Sequence, residues 1–229
     1  MEDIIQIIDK CFANYKPMET KANLICQYLL LKEHNPKIVV EIGAGAAGWA
    51  LTINDLLKST DINFYLFENF VETLYESYEW WPKNATDLTN YILEKNVNFN
   101  FNLAAEYNKV KKIDVLRFDA WGLSLQDFES IIADCNKNSI IIFDDFAFNK
   151  DPDLIIMVLE LFRKQLIFPV WASENSSCWS RSKSYSHHLI NVLNKNQDLI
   201  QQFTGCKICH KEFDVVDLQF EIFQTKNCK

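Results

Sequence analysis

Apolar runs of strand length alternate with amphipathic stretches along most of this chain. Residues 3–15 and 18–33 space their apolar positions as helices do. The run 37–42 (KIVVEI) predicts a strand, and 47–58 predicts a helix. A strand follows at 62–67 (INFYLF), and 70–96 reads as helical with an aromatic interruption at YEWWP. Strands are predicted at 97–102 (VNFNFN) and 113–118 (IDVLRF), then a helix at 124–135 and a strand at 139–143 (SIIIF). A helix at 152–165, a strand at 168–172 (FPVWA), a helix at 186–203 and a last strand at 214–223 complete the series. Strands that alternate with helices imply right-handed crossovers and a mostly parallel sheet covered on both faces. Ligands of such sheets bind outside the carboxyl ends of the strands.

Composition bounds this picture without changing it. The chain has 229 residues, 48% of them hydrophobic, which suits one α/β domain with a full core. No repeat, low-complexity tract or linker divides it. The net charge of −8 argues against a surface that tracks nucleic acid phosphates. No apolar run is long enough for a membrane helix, and the acidic start MEDIIQIIDK is unlike a secretory signal. Seven scattered cysteines, an odd number, fit reduced thiols in the cytoplasm.

The densest chemistry lies in KIVVEIGAGAAGW. Gly43, Gly45 and Gly48 have GxGxxG spacing after a strand and before a helix. Such a turn brings a cofactor against main-chain N–H groups at a helix start. FAD- and NAD-binding enzymes share the pattern. Glu41 stands two residues before the first glycine. A pyrophosphate is repelled by that acid, whereas a cofactor with a cationic amino acid end is welcomed. Glu68, at the end of the next strand, can accept hydrogen bonds from ribose hydroxyls. Asp144 and Asp145 follow the apolar strand SIIIF, and Asp119 ends its neighbour. The ends of adjacent parallel strands lie side by side, so these three acids can converge. They are candidates for a divalent metal site or a general base.

The order EIGAGAAG, FEN, IDVLRFD, IIIFDDF resembles the class I S-adenosylmethionine-dependent methyltransferases, with small-molecule and sugar O-methyltransferases of the macrocin or cephalosporin-hydroxylase-like group as the nearest kind. The resemblance covers roughly 35–172 and implies a Rossmann-like α/β fold with a seven-stranded, mostly parallel sheet. It implies a cofactor site of Glu41, Gly43, Ala44, Gly45 and Gly48 for the methionine part, and Glu68 and Asn69 for the ribose. Ala105 and Glu106 would lie near adenine, and Asp119 would border the cofactor. Asp119, Asp144 and Asp145 correspond to the acids that hold Mg²⁺ in metal-dependent members. The run FDAWG departs from that pattern, because Trp121 stands where a second acid or histidine is usual.

Methyl transfer requires in-line positioning and, for an alcohol acceptor, removal of its proton. Asp119, Asp144, Asp145 and His187 are the candidate catalytic residues, with His188 beside the last. The resemblance casts 1–34 as helices that cap the acceptor site, 35–172 as the cofactor-binding core, and 173–229 as an acceptor-side loop and final strand. Trp171, Trp179 and Tyr185 among the serines of that loop, with Trp80 and Trp81, suit stacking on a sugar or aryl ring, or else anchor a plain surface loop. The expected partners are a small-molecule or saccharide acceptor and a second copy of the chain, with neither nucleic acid nor membrane. Cys206, Cys209 and His210 form a lone CxxCH, too few ligands for a closed zinc site. A nicotinamide or flavin oxidoreductase and a non-catalytic methyltransferase-like protein are the alternative readings.

Overall fold

The computed structural model describes residues 4–17, 19–58, 61–68, 87, 90, 99–103, 110–120, 123–146, 150–173 and 176–204. Two helices come first, α1 (Ile4–Tyr15) and α2 (Lys21–His34). They are followed by β1 (Ile38–Ile42), α3 (Gly48–Leu57), β2 (Asn63–Glu68), β3 (Phe99–Leu103) and β4 (Ile113–Phe118). Next come α4 (Leu125–Ala133), β5 (Cys135–Asp144), α5 (Pro152–Arg163), β6 (Phe168–Ala172), β7 (Ser176–Ser180), α6 (Lys183–Lys195) and α7 (Gln197–Thr204). Local chemistry marks the helix starts. Thr20 caps α2, Ser124 and Asp127 form a reciprocal capping box on α4, and Asp151 caps α5 ahead of Pro152.

The seven strands form one sheet in the order β3-β2-β1-β4-β5-β7-β6. β1 to β5 pair in parallel, while β7 runs antiparallel to both β5 and β6. The expected mostly parallel sheet is therefore found, with one difference. The last strand was expected at 214–223, which lies outside the described residues, and the serine-rich stretch between the strand at 168–172 and the helix at 186–203 was expected as a loop. Residues Ser176–Ser180 instead form β7, inserted between β5 and β6. Its serines hid it from a reading of hydrophobic pattern. They are small enough to be buried, and the Ser177 hydroxyl accepts a 2.9 Å bond from the Trp179 indole.

Alternation along the strands splits the core in two. Val39, Phe64, Leu66, Val115, Ile140 and Ile142 face α1–α3 and α6. Val40, Ile42, Phe67, Leu116, Phe118, Ile141 and Phe143 face α4 and α5. Continuing the first series by twos reaches Glu41 on β1, Arg117 and then Asp119 at β4, and Asp144 on β5. Glu41 and Arg117 are direct partners in the register. The period of a strand thus delivers four charged residues to one face of the sheet, at its carboxyl edge. Among the described residues, no helix is long and apolar enough to cross a membrane.

Candidate functional site at the carboxyl edge

The turn after β1 is bound to both neighbouring strands. Gly43 and Ala44 donate their N–H groups to the Phe67 carbonyl at 2.8 and 3.1 Å, and Asp119 N–H donates to the Ile42 carbonyl at 2.9 Å. Gly43 and Gly45 have φ of +82° and +52°, and Ala47 follows at +58° before α3 begins. A Cβ on Gly43 would stand 1.8 Å from the Asp119 carbonyl oxygen. The first glycine is therefore required by the strand next door. A Cβ on Gly48 would lie 2.9 Å from the Tyr15 carbonyl oxygen and 3.0 Å from the Pro17 Cα. The last glycine thus makes room for the connection between α1 and α2, not for a ligand.

Glu68 lies across this turn. Its Oε2 accepts the Gly45 N–H at 2.6 Å, and the side chain is only partly buried. The end of β2 and the glycine turn therefore share one carboxylate at the accessible edge of the sheet. Asn69, Ala105 and Glu106 lie outside the described residues. So do Trp80, Trp81, Trp121, Cys206, Cys209 and His210.

The acids converge, but around a residue that the sequence reading passed over. Arg117 is buried to 3% side-chain exposure. Its Nη1 reaches Glu41 at 2.7 Å and Asp119 at 3.2 Å, and its Nη2 reaches Asp144 at 2.5 Å. The guanidinium stacks 5.2 Å from the centre of the Trp49 ring. Trp49 Nε1–H donates to Gln27 Oε1 at 2.7 Å. Gln27 in turn donates to Glu19 at 3.1 Å and to Ser176 at 3.2 Å. Glu19 also accepts from Asn23 at 2.6 Å and from the Thr20 N–H at 3.2 Å. One polar network thus links the α1–α2 connection, β1, β4, β5 and β7.

This network holds more acids than bases. Glu19, Glu41, Asp119 and Asp144 all act on the single guanidinium, which holds Arg117 firmly protonated. Burial strips water from the acids and outweighs what one cation returns. It pushes Glu41 up to about 8 and Asp144 up to about 8, and it raises Glu19 as well. Glu41 Oε2 and Arg117 Nε are buried without a hydrogen-bond partner among the described residues.

Several expectations need correcting here. Glu41 is turned inward onto Arg117 and is 1% exposed, so it does not meet a ligand directly. Asp119, Asp144 and Asp145 do not form a shared metal site. Arg117 takes the charge of the first two, and Asp145, with φ of +51°, turns to Lys150. Among the described residues, no cluster of three His, Cys, Asp or Glu side chains could hold a metal ion. The residues present therefore do not fit a Mg²⁺ ion. His187 is also misplaced for catalysis. α6 starts after Ser180, which pairs with Ile140 at the amino-terminal side of β5, and His187 is exposed on that helix. His188 pairs with Glu33 at 2.8 Å. Trp171 and Trp179 are buried in the core, and the Tyr185 hydroxyl lies 2.8 Å from His34 Nδ1, so these rings form no open stacking surface. A shallow recess remains at the strand ends, lined by Phe118, Asp119, Ala120, Asp144, Asp145, Asp151 and Leu154.

No family model and no curated protein matches this sequence. Solved structures do match its fold. A methyltransferase of Geobacter sulfurreducens superimposes with a TM-score of 0.55 at 14% identity, covering 80% of this chain and 90% of its own. A proposed caffeoyl-CoA O-methyltransferase of Staphylococcus aureus gives 0.54 at 17% identity, covering 79% and 93%. The SAH-bound methyltransferase PaMTH1 of Podospora anserina gives 0.53 at 13% identity, covering 78% and 87%. The chain has the Rossmann-like fold of class I O-methyltransferases. Identities this low establish the fold and nothing finer.

Proposed function

We propose that this chain is an S-adenosylmethionine-dependent O-methyltransferase acting on a small hydroxylated acceptor. The observation that carries the reading is the pairing of Glu68 with the glycine turn beside a buried acid surplus. Glu68 accepts from the Gly45 N–H and is only partly buried, which sets a carboxylate for ribose hydroxyls beside the glycine turn. Once Glu41 and Asp144 give up their protons, toward pH 8, the acids around Arg117 outnumber their cation and this edge favours a ligand that carries positive charge. A dinucleotide would bring a pyrophosphate into the same field and be repelled. The antiparallel β7 between β5 and β6 also departs from the 3-2-1-4-5-6 strand order usual in dinucleotide-binding sheets.

In this reading the turn Gly43–Gly45 holds the methionine portion, Glu68 holds the ribose, and Glu41 acts through its field from behind Arg117. The cofactor supplies an activated methyl group on a sulfonium. The protein then has to orient the acceptor, exclude water and accept one proton. Asp144 fits the last task best. It lines the recess, and burial has lifted its carboxyl to about 8, close to the pH at which a base must work. Asp119 lines the same recess and is the more accessible of the two. Four of the seven residues that line the recess are aspartates, which can accept from hydroxyls and so support a small acceptor such as a sugar or glycan precursor. The same reading places the protein in the cytoplasm and allows a homodimer.

Calorimetry tests the proposal directly. S-adenosylhomocysteine should bind with micromolar affinity and NADH should not bind. Glu68→Gln should weaken the first by at least about tenfold, since it removes a charged acceptor of ribose hydroxyls. Binding of NADH, or yellow absorbance from the purified protein, would point to an oxidoreductase. Binding of neither would leave a non-catalytic protein of this fold.

A further inference from the structure

Parallel strands that end in Glu41, Asp119 and Asp144 on one sheet face create a demand for a cation. In a buried site that demand is commonly met by a bound divalent ion. Here the chain meets it with its own side chain. Arg117 enters from the middle strand, and its two terminal nitrogens reach all three carboxylates, at 2.7, 3.2 and 2.5 Å. Trp49 closes one side of the guanidinium, at 5.2 Å, and Gln27 fixes the Trp49 indole. A guanidinium does not deprotonate in proteins, and its planar fork matches carboxylates held at strand spacing. An ion placed among the same oxygens would have to sit beside that fixed charge and give up its hydration. The third expected ligand, Asp145, is engaged by Lys150.

We propose that Arg117 is the resident cation of this site: it fixes Asp119 and Asp144 for acceptor binding and takes the place of a divalent metal. Arg117 is thus a positioning residue that acts through the two aspartates. A second consequence concerns the acceptor. With no dication to lower the pKa of an alcohol, proton removal falls to the carboxylates, and acceptors with acidic hydroxyls are favoured over plain alcohols.

The inference rests on the reading of this edge as the cofactor and acceptor end. S-adenosylhomocysteine binding tests that reading alone, and Mn²⁺ uptake tests Arg117 alone. The protein is titrated with MnCl₂ and free Mn²⁺ is followed by electron paramagnetic resonance. The wild-type chain should leave the free signal unchanged, and its affinity for S-adenosylhomocysteine should be the same before and after dialysis against EDTA. Arg117→Ala, which frees the three carboxylates, should take up one Mn²⁺ per chain, and Arg117→Ala with Asp144→Asn should lose it again. Folding of each variant is checked by circular dichroism. Uptake of one Mn²⁺ by the wild type that disappears in Asp144→Asn would overturn the proposal. So would a folded Arg117→Ala that takes up none. If Arg117→Ala does not fold, the wild-type titration with its Asp144→Asn control decides alone.

Discussion

Replacing Glu41 by Gln separates the stability of this site from its charge. Glu41 is fully buried, and burial lifts its carboxyl from 4.5 to about 8. The folded chain therefore binds this proton more tightly than the unfolded chain does. The stabilisation that results is complete below pH 4.5 and is lost as pH rises toward 8. A single group of this kind contributes a slope of at most about 1.4 kcal/mol per pH unit across that window. Asp144 acts in the same direction between 3.8 and about 8, so the wild-type protein should become steadily less stable from weak acid to pH 8. Glu41→Gln removes its own share of the slope, about 1 kcal/mol per pH unit. The substitution does not strand the guanidinium, because Asp144 and Asp119 still face Arg117 at 2.5 and 3.2 Å. The Gln oxygen can still accept from Nη1. At pH 8 the variant should thus be as stable as the wild type or more so, while its affinity for a cationic cofactor falls. Urea unfolding followed by circular dichroism at pH 5, 6, 7 and 8 measures this. An unchanged pH slope would refute the argument. So would a loss of about 3–5 kcal/mol at pH 8, the usual cost of breaking a buried ion pair.

The glycine turn and the polar network give three more tests. Gly43→Ala puts a Cβ 1.8 Å from the Asp119 carbonyl oxygen at a φ of +82°, so urea unfolding should show a loss of about 2–4 kcal/mol. The same change at Gly48 meets Tyr15 and Pro17 at 2.9 and 3.0 Å and should cost less, about 1–3 kcal/mol, because that connection can yield. Gln27→Leu leaves Glu19 Oε2 and the Trp49 N–H without their buried partner and should cost about 2–4 kcal/mol in the same assay. His187→Ala, on the exposed face of α6, should stay within about 0.5 kcal/mol of the wild type and bind S-adenosylhomocysteine equally well.

Strand and helix periods made much of the fold legible in advance. The parallel strands are apolar on both faces, and short glycine or acidic turns punctuate them, so β1, β2, β4 and β5 could be placed to within a few residues. β7 could not, because its Ser-rich sequence carries no apolar alternation. Its burial depends on pairing with β5 on one side and β6 on the other, which is a tertiary fact. The site was half legible. Acids at the ends of β1, β2, β4 and β5 stood out one by one, and their convergence followed from parallel pairing. The partner that decides their chemistry was also in plain sight. Arg117 interrupts IDVLRF, a strand with apolar neighbours on both faces, and Glu41 interrupts KIVVEI in the same way. A charge in the middle of a doubly covered strand must find an opposite charge nearby. Two such charges of opposite sign on adjacent strands, both on the face that carries Val39 and Val115, leave each other as the obvious partner. Reading Glu41 as a ligand for the cofactor and Asp144 as a ligand for a metal overlooked that constraint, because each acid was matched to an external cation before the internal one had been counted.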